Sequence, residues 1–209
     1  MRKKIFIVVA AAGLLATGCA GGSSGSHASS TKPRPSATVL PQKLADPGAQ
    51  PDAEPQPSPA ADAPFTESLA YELRRRTLKM AGAPGTTTAE CPKGLESKSG
   101  TKATCTTTYE GLKVEWDVSI GDKSAISNTL VEYTATPRQG ILTRDGVARL
   151  LYGNYRGSID HPQCNNIPAA TLVPLNTPSQ YACEVVFKGE APGGHADAVR
   201  ATPDGPRAF

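Results

Sequence analysis

The sequence predicts an α+β protein of tandem small modules, each an N-terminal helix packed on a short antiparallel β-sheet with one disulfide. Three observations carry this prediction. Capped amphipathic helices begin near Thr66 and Thr143, two cysteines follow each helix, and each second cysteine opens sequence of strand character. The equivalent points Thr66 and Thr143, Cys91 and Cys164, Cys105 and Cys183 are offset by 77, 73 and 78 residues. The expected layout is a leader over 1–18, a tether over 19–64, module 1 over 65–137, a divergent module 2 over 138–202 and a flexible tail over 203–209.

In the leader, Arg2, Lys3 and Lys4 precede an apolar run from Ile5 to Thr17 and then Gly18-Cys19. This is the pattern of a secretory signal peptide. The run is too short to span a hydrocarbon core, which needs about twenty residues. The cysteine after small residues resembles a bacterial lipobox. That resemblance implies that Cys19 is diacylated through its thiol as a diacylglycerol and palmitate-bearing lipoprotein terminus. The chain would then sit on the outer leaflet of the cytoplasmic membrane, at the extracellular face of the cell. Secretion with cleavage near Ala20 is the alternative, because Ala16 rather than Leu stands three residues before Cys19.

Of 22 Lys+Arg and 19 Asp+Glu, three basic residues belong to the leader, so the remaining chain carries 19 of each sign. A formally neutral ectodomain gives no electrostatic ground for a nucleic-acid partner. The one basic cluster, Arg74, Arg75, Arg76 and Lys79, spans more than one face of a helix, as a solvated surface does. Residues 20–64 hold nine prolines and no aromatic side chain. Such a segment buries too little apolar surface to offset the entropy of ordering. As a coil it would reach roughly 35–40 Å from the membrane. His27 lies in this tether and is expected to be solvated.

Module 1 opens with FTESLAYELRRRTLKMAG, where Thr66 can cap a helix and Leu69, Leu73, Thr77 and Met80 fall at helical spacing. After Cys105, a turn at Glu110-Gly111 leads into Leu112, Val114, Trp116, Val118 and Ile120, alternating with Lys113, Glu115, Asp117 and Ser119. The apolar row is expected to face the helix, so Trp116 is a core residue. Gly121-Asp122 marks a turn, and NTLVEYTAT before Pro137 supplies a third strand. Module 2 opens with LTRDGVARLLYGNY, where Thr143 can cap and Val147, Leu151 and Tyr155 repeat every fourth residue. YACEVVF then places Tyr181, Cys183, Val185 and Phe187 on one face, and ADAVRAT closes the sheet before a Gly/Pro-rich tail.

Apart from Cys19, four cysteines remain, in two pairs at equivalent places. In an exported chain this reads as a disulfide framework. Of three connectivities, the repeat favours Cys91–Cys105 with Cys164–Cys183. Closing a loop of about fifteen residues constrains the unfolded chain by around 3 kcal/mol. Zinc would want closer cysteine or histidine pairs, and a redox pair would want CxxC. No metal or other cofactor is expected.

The order of a helix, then Cys91, Pro92, Leu95, Lys98, Gly100, Cys105 and Thr106 in the pattern C-P-x-x-L-x-x-K-x-G-x-x-x-x-C-T, then an alternating strand, resembles the actinobacterial domain of unknown function 4333. The resemblance covers about Phe65 to Thr136; in the second half only the helix, Cys164, Cys183 and the following strand match. It implies a lipoprotein or secreted protein of a high-GC Gram-positive bacterium with no assigned catalytic residues.

For an enzyme, the residues offer His161 beside Asp160, His195 in a segment expected to be mobile, and the carboxylates Glu115 and Asp117 on one strand face. Neighbouring residues such as Asp160 and His161 are not expected to point together. No nucleophile elbow, phosphate loop or zinc motif occurs. The expected function is a non-catalytic, surface-anchored interaction or envelope-binding module. The alternatives are a protease inhibitor presenting Glu96–Ala103 and an unrecognised hydrolase. The expected interaction face is the loop within each disulfide, with Leu95, Lys98, Ser99 and Lys102 as candidates; its partner is an unknown protein or envelope ligand.

Overall fold

The computed structural model describes residues 39–49, 52–123 and 131–208. The leader, Cys19, His27 and the first half of the tether lie outside the described residues. In chain order the elements are β1 (Gln42–Lys43), α1 (Phe65–Ala81), β2 (Thr87–Glu90), β3 (Lys102–Tyr109), β4 (Leu112–Lys123), β5 (Val131–Pro137), β6 (Gly140–Thr143), α2 (Arg144–Tyr155), β7 (Ile159–Cys164), β8 (Ala170–Val173), β9 (Ala182–Phe187), β10 (Asp197–Thr202) and β11 (Gly205–Ala208). The mixed α/β class with two helices and two disulfides is as the sequence predicts.

The first sheet is an antiparallel meander in the order β2-β3-β4-β5. Its inner face follows the predicted alternation, with Val114, Trp116, Val118 and Ile120 all buried against Leu69, Leu73 and Met80 of α1. Three polar side chains enter this core as one relay. Trp116 Nε1 donates to Thr107 Oγ1 at 2.9 Å, the Thr107 and Thr77 hydroxyls are 2.9 Å apart, and Thr77 Oγ1 donates to Leu73 O at 2.7 Å. Each hydroxyl has one hydrogen, so the arrangement that satisfies every group runs from the indole through both threonines to the helix carbonyl. The dry core therefore contains no unmet polar group along this path.

Thr66 does not cap α1. Pro64, in extended conformation, precedes the helix and its carbonyl accepts from Glu67 N and Ser68 N. The Thr66 hydroxyl instead donates to Leu95 O at 2.8 Å, tying the first disulfide loop to the helix. At the other end Gly82 takes a left-handed conformation (φ 62°) and closes the last turn, as a Gly cap does.

Thr143 caps α2 as predicted, accepting from Gly146 N at 2.9 Å. Its hydroxyl also donates to Ala81 O at 2.6 Å, so one side chain satisfies the start of α2 and the end of α1. Gly146 permits this approach, because a Cβ there would lie 2.4 Å from Ala81 O.

The second sheet has the order β1-β7-β9-β10-β11. A ribbon of β6 and β8 completes the fold. All four residues of β6 are buried, Ile141 within the core under α1 and Leu142 within the core under α2. The boundary expected at 137/138 thus falls beside a strand that serves both cores.

Three parts of this sheet depart from the sequence expectation. β7 contains Pro162 and was not expected to be a strand; β1 stops at Lys43, opposite Gln163, so Pro162 lies where no ladder amide is needed. The tail expected to be flexible forms β11, with Val199, Arg200, Ala201 and Thr202 paired to Ala208, Arg207, Pro206 and Gly205. Thr202-Pro-Asp-Gly205 is a turn sequence, and Thr202 Oγ1 donates to Gly205 O across it.

The second half of the tether is likewise built into the fold. The Gln42 side chain exchanges hydrogen bonds with both backbone groups of Ile167 (2.7 and 2.9 Å), and Leu44 is buried in the second core. Arg149 donates to the carbonyls of Pro47, Gly48 and Ala49, and Arg74 to that of Gln56. Composition showed too little apolar surface for an independent core, but one leucine and borrowed donors suffice to strap a segment onto an existing one.

Tyr109 is buried, donates to Pro84 O at 2.9 Å and lies where a Cβ on Gly85 would be 2.5 Å from its ring. Burial, helped by Glu110 and Asp145 and opposed by Arg149, pushes its pKa up to about 12. The folded state prefers the protonated phenol. Its contribution is therefore full below the unfolded value near 10 and lost as pH rises through about 12. Denaturant titrations are expected to show stability falling by about 2 kcal/mol across this window, with Tyr109→Phe removing that part of the fall. A profile identical in both proteins would contradict this assignment.

Candidate functional site

The outer face of the first sheet is polar because the alternation that buries Val114 to Ile120 turns the intervening residues outward. Thr104 and Thr106 of β3, Glu115, Asp117 and Ser119 of β4, and Thr134 and Thr136 of β5 lie on this side. A groove of about 530 Å³ runs across it, lined by Lys102, Thr104, Asp117, Ser119, Thr134 and Thr136 with backbone of Ala103 and Val118. Four hydroxyl side chains, one cation and one carboxylate thus meet in one groove on the sheet face.

Arg138, just past β5, closes one end of the platform. Its guanidinium forks onto Asp117 (2.7 and 3.1 Å), reaches Glu115 and approaches Thr104 Oγ1 at 3.4 Å. The hydrogen bonds from Arg138, opposed by desolvation and helped by its charge, hold the Asp117 carboxyl below the usual carboxylate range. Glu115 and Asp117 are therefore clamped by a single cation, and Asp117 is not set up to hold a proton for acid catalysis near neutral pH.

The first disulfide loop borders this platform. Cys91 and Cys105 are bonded, with Cα atoms 4.3 Å apart. Thr101 N donates to Lys98 O, Gly100 N to Ile120 O, and Ser99 Oγ to Asp122 Oδ1 at 2.6 Å, so the loop is folded into a tight turn pinned to the end of β4. Lys98, Ser99 and Lys102 are exposed as expected. Leu95 is not: it is 9% exposed and belongs to the core under α1. It fills the space between the loop and the helix, which an apolar side chain in a short braced loop is well placed to do.

Cys164 and Cys183 are bonded across directly paired positions of β7 and β9, with Cα atoms 4.1 Å apart. Both connectivities match the repeat-based expectation. The loop inside this second bond is partly built into the fold, with Asn166, Pro168, Asn176 and Thr177 exposed. It contains β8 and the buried Ile167, and the Asn165 side chain bonds to Gln180 O and Ala182 N.

Asp160 and His161 do meet, with Oδ2 and Nδ1 2.7 Å apart, contrary to the expectation for neighbouring residues. The cause is a bulge: Ile159 pairs with Phe187 and His161 with Val186, leaving Asp160 unpaired on the bulged strand. The hydrogen bond from His161 holds the Asp160 carboxyl low. Asp160 is the one hydrogen-bond partner of the His161 ring among the described residues. The basic cluster is engaged internally. Arg75 and Arg76 bond to Glu72, Arg76 also lies over the Tyr133 ring, Arg74 holds Thr87 O and Lys79 pairs with Asp204. Among the described residues no group of three or more His, Cys, Asp or Glu side chains could hold a metal ion, and no helix is long and apolar enough to cross a membrane.

The hydroxyl platform was not singled out in the sequence, although TCTTTY and EYTAT carry it. Its signal is the polar half of the same alternation whose apolar half forms the core. In comparisons with known proteins, no family model, no curated protein and no solved structure matches this chain.

Proposed function

We propose that this chain is a non-catalytic bacterial lipoprotein, held at the outer leaflet of the cytoplasmic membrane through lipid on Cys19, that binds a polar envelope polymer through the open face of the first sheet. The groove lined by Lys102, Thr104, Asp117, Ser119, Thr134 and Thr136 carries the reading. Its hydroxyls can each donate and accept, which suits a ligand rich in hydroxyl and amide groups. A single such bond is worth only about 0.5–1.5 kcal/mol net, so recognition needs several on a rigid support, as a sheet provides. The leader, the lipobox-like Cys19, the two disulfides and the resemblance to the domain of unknown function 4333 support an exported location.

The tandem arrangement is part of the same proposal. Each helix is followed by four antiparallel neighbouring strands, β2-β3-β4-β5 and β7-β9-β10-β11, the second set interrupted in the chain by β8. One disulfide joins the residue after β2 to β3 and the other joins β7 to β9. A duplicated unit whose copies merged around β6 and β8 accounts for both similarities.

The inhibitor reading is less well supported, because the Lys98–Thr101 turn presents no extended stretch for a protease cleft. The hydrolase reading gains the Asp160–His161 pair, but among the described residues no hydroxyl or thiol is hydrogen-bonded to the His161 ring. Two experiments test the proposal. Metabolic labelling with a palmitate analogue is expected to mark the wild-type chain, and Cys19→Ala to lose the label and release the protein from membranes; label retained by the variant would contradict the anchor. Retention on purified envelope is expected to fall when the groove hydroxyls are removed.

A further inference from the structure

A second cavity, of about 300 Å³, opens between the end of α2, β9 and the loop 188–196, on a different sheet from the polar groove. Its mouth holds Tyr155 and Phe187, rings 5.7 Å apart in an edge-to-face arrangement. Both were expected on apolar inward faces. They are 41% and 37% exposed, and among the described residues Val39 is the one other large apolar side chain this open to solvent. Tyr155 is the last residue of α2 and Phe187 the last of β9, so each extends past the element that would have covered it.

The charged lining has one sign. Glu184, Glu190 and Asp197 face the cavity with His195, and no lysine or arginine lines it. Glu184 is 5% exposed, and its carboxylate accepts from Gly194 N at 2.7 Å and Gln163 Nε2 at 3.2 Å, both neutral donors. The carboxylates do not converge as metal ligands would. They are spread along a cavity at the small end of the range for organic ligands.

An aromatic pair over a wall of carboxylates favours a cation that also carries apolar methylenes. We propose that this cavity binds the ammonium end of a lysine-type side chain, its methylenes against Tyr155 and Phe187 and its charge toward Glu184 and Asp197. The site is independent of the polar groove. It gives the domain a second recognition point for a partner bearing primary amines.

The test is a titration of the isotope-labelled full chain with Nα-acetyl-lysine methylamide, followed through the amide resonances of Gly193, Gly194 and Val185. Nα-acetyl-norleucine methylamide, which keeps the four side-chain carbons and lacks the terminal ammonium, is the control. Saturable shifts at these amides with the lysine derivative, and binding roughly tenfold weaker or absent with norleucine, are expected. Tyr155→Ala and Phe187→Ala, both at exposed positions, are each expected to weaken binding about fivefold while the Trp116 indole resonance stays in place. Glu184→Gln is expected to weaken it further. No saturable shift at millimolar lysine derivative, or an equal response to norleucine, would overturn the proposal. So would unchanged affinity in both aromatic variants, whatever the fate of Glu184→Gln.

Discussion

Deleting residues 203–209 is expected to cost on the order of 4–5 kcal/mol, about a third or more of the roughly 5–15 kcal/mol that folded domains retain. The deletion removes β11 and the turn before it, and with them four paired positions on β10. More is lost than a sheet edge. Pro206 lies against Gly82 at the end of α1 and Gly146 at the start of α2, where added Cβ atoms would come within 3.2 Å of its ring. Gly205 and Pro206 are buried, and β11 touches both helices. Without this wedge the knot of Thr143, Ala81 and Gly146 opens to water, and Val199 and Ala201 lose the strand beside them. Denaturant unfolding followed by circular dichroism should show a broad, early transition. A truncated chain with the wild-type midpoint would contradict the role given to β11.

Trp116→Ala is the second large effect. Truncating a fully buried tryptophan costs about 3–5 kcal/mol through lost transfer energy and the cavity left behind. Here the indole is also the donor at the head of the relay through Thr107 and Thr77. Its loss leaves Thr107 with an unmet acceptor in a dry site, so a total of about 5 kcal/mol is expected. Trp116→Phe keeps most of the volume and is expected to cost about half as much. Because Trp116 is the one tryptophan in the chain, circular dichroism rather than indole fluorescence must follow both variants. Equal stability of the alanine and phenylalanine variants would mean that the core collapses around the smaller side chain and that the loss both share, the indole donor to Thr107, carries the cost.

Much of the first half was legible from its residues. Leu69, Leu73, Thr77 and Met80 and the alternation from Leu112 to Ile120 specify which sides of α1 and β4 meet, because helix and strand periods differ and each leaves one apolar face. The two disulfides were legible for a different reason: repetition removed the ambiguity that four cysteines alone would leave. Thr143 was recognisable as a cap but not as the link between two helix ends, since the latter depends on where Ala81 arrives. Thr66 shows the converse. Its position suited a cap, yet the hydroxyl found a better partner in Leu95 O.

What was missed shares one cause. β1, β2, β6, β7, β8 and β11 are short strands, several holding Pro or Gly, and their stability comes from partners distant in sequence. Gln42 means nothing until Ile167 lies beside it. The same holds for the sites. Lys98, Ser99 and Lys102 were visible as an exposed loop, but the groove they border needs Thr104, Ser119, Thr134 and Thr136 brought together by strand register. Leu95 was placed in the loop's surface because local sequence does not say which side chain of a braced loop turns inward. Asp160 and His161 were judged apart because the bulge that joins them is a property of β7 against β9.

The polar groove as a binding face is the centre of the functional account, and retention on purified envelope tests it most directly. The chain carrying Thr104→Val, Thr134→Val and Thr136→Val keeps the shape and β propensity of each position while removing three hydroxyls. With each hydrogen bond worth about 0.5–1.5 kcal/mol, retention is expected to fall at least about tenfold against an unchanged unfolding midpoint. Alanine at Lys98, Ser99 and Lys102 should lower it less, since only Lys102 lines the groove. Full retention by the valine variant, with its fold intact, would contradict the account.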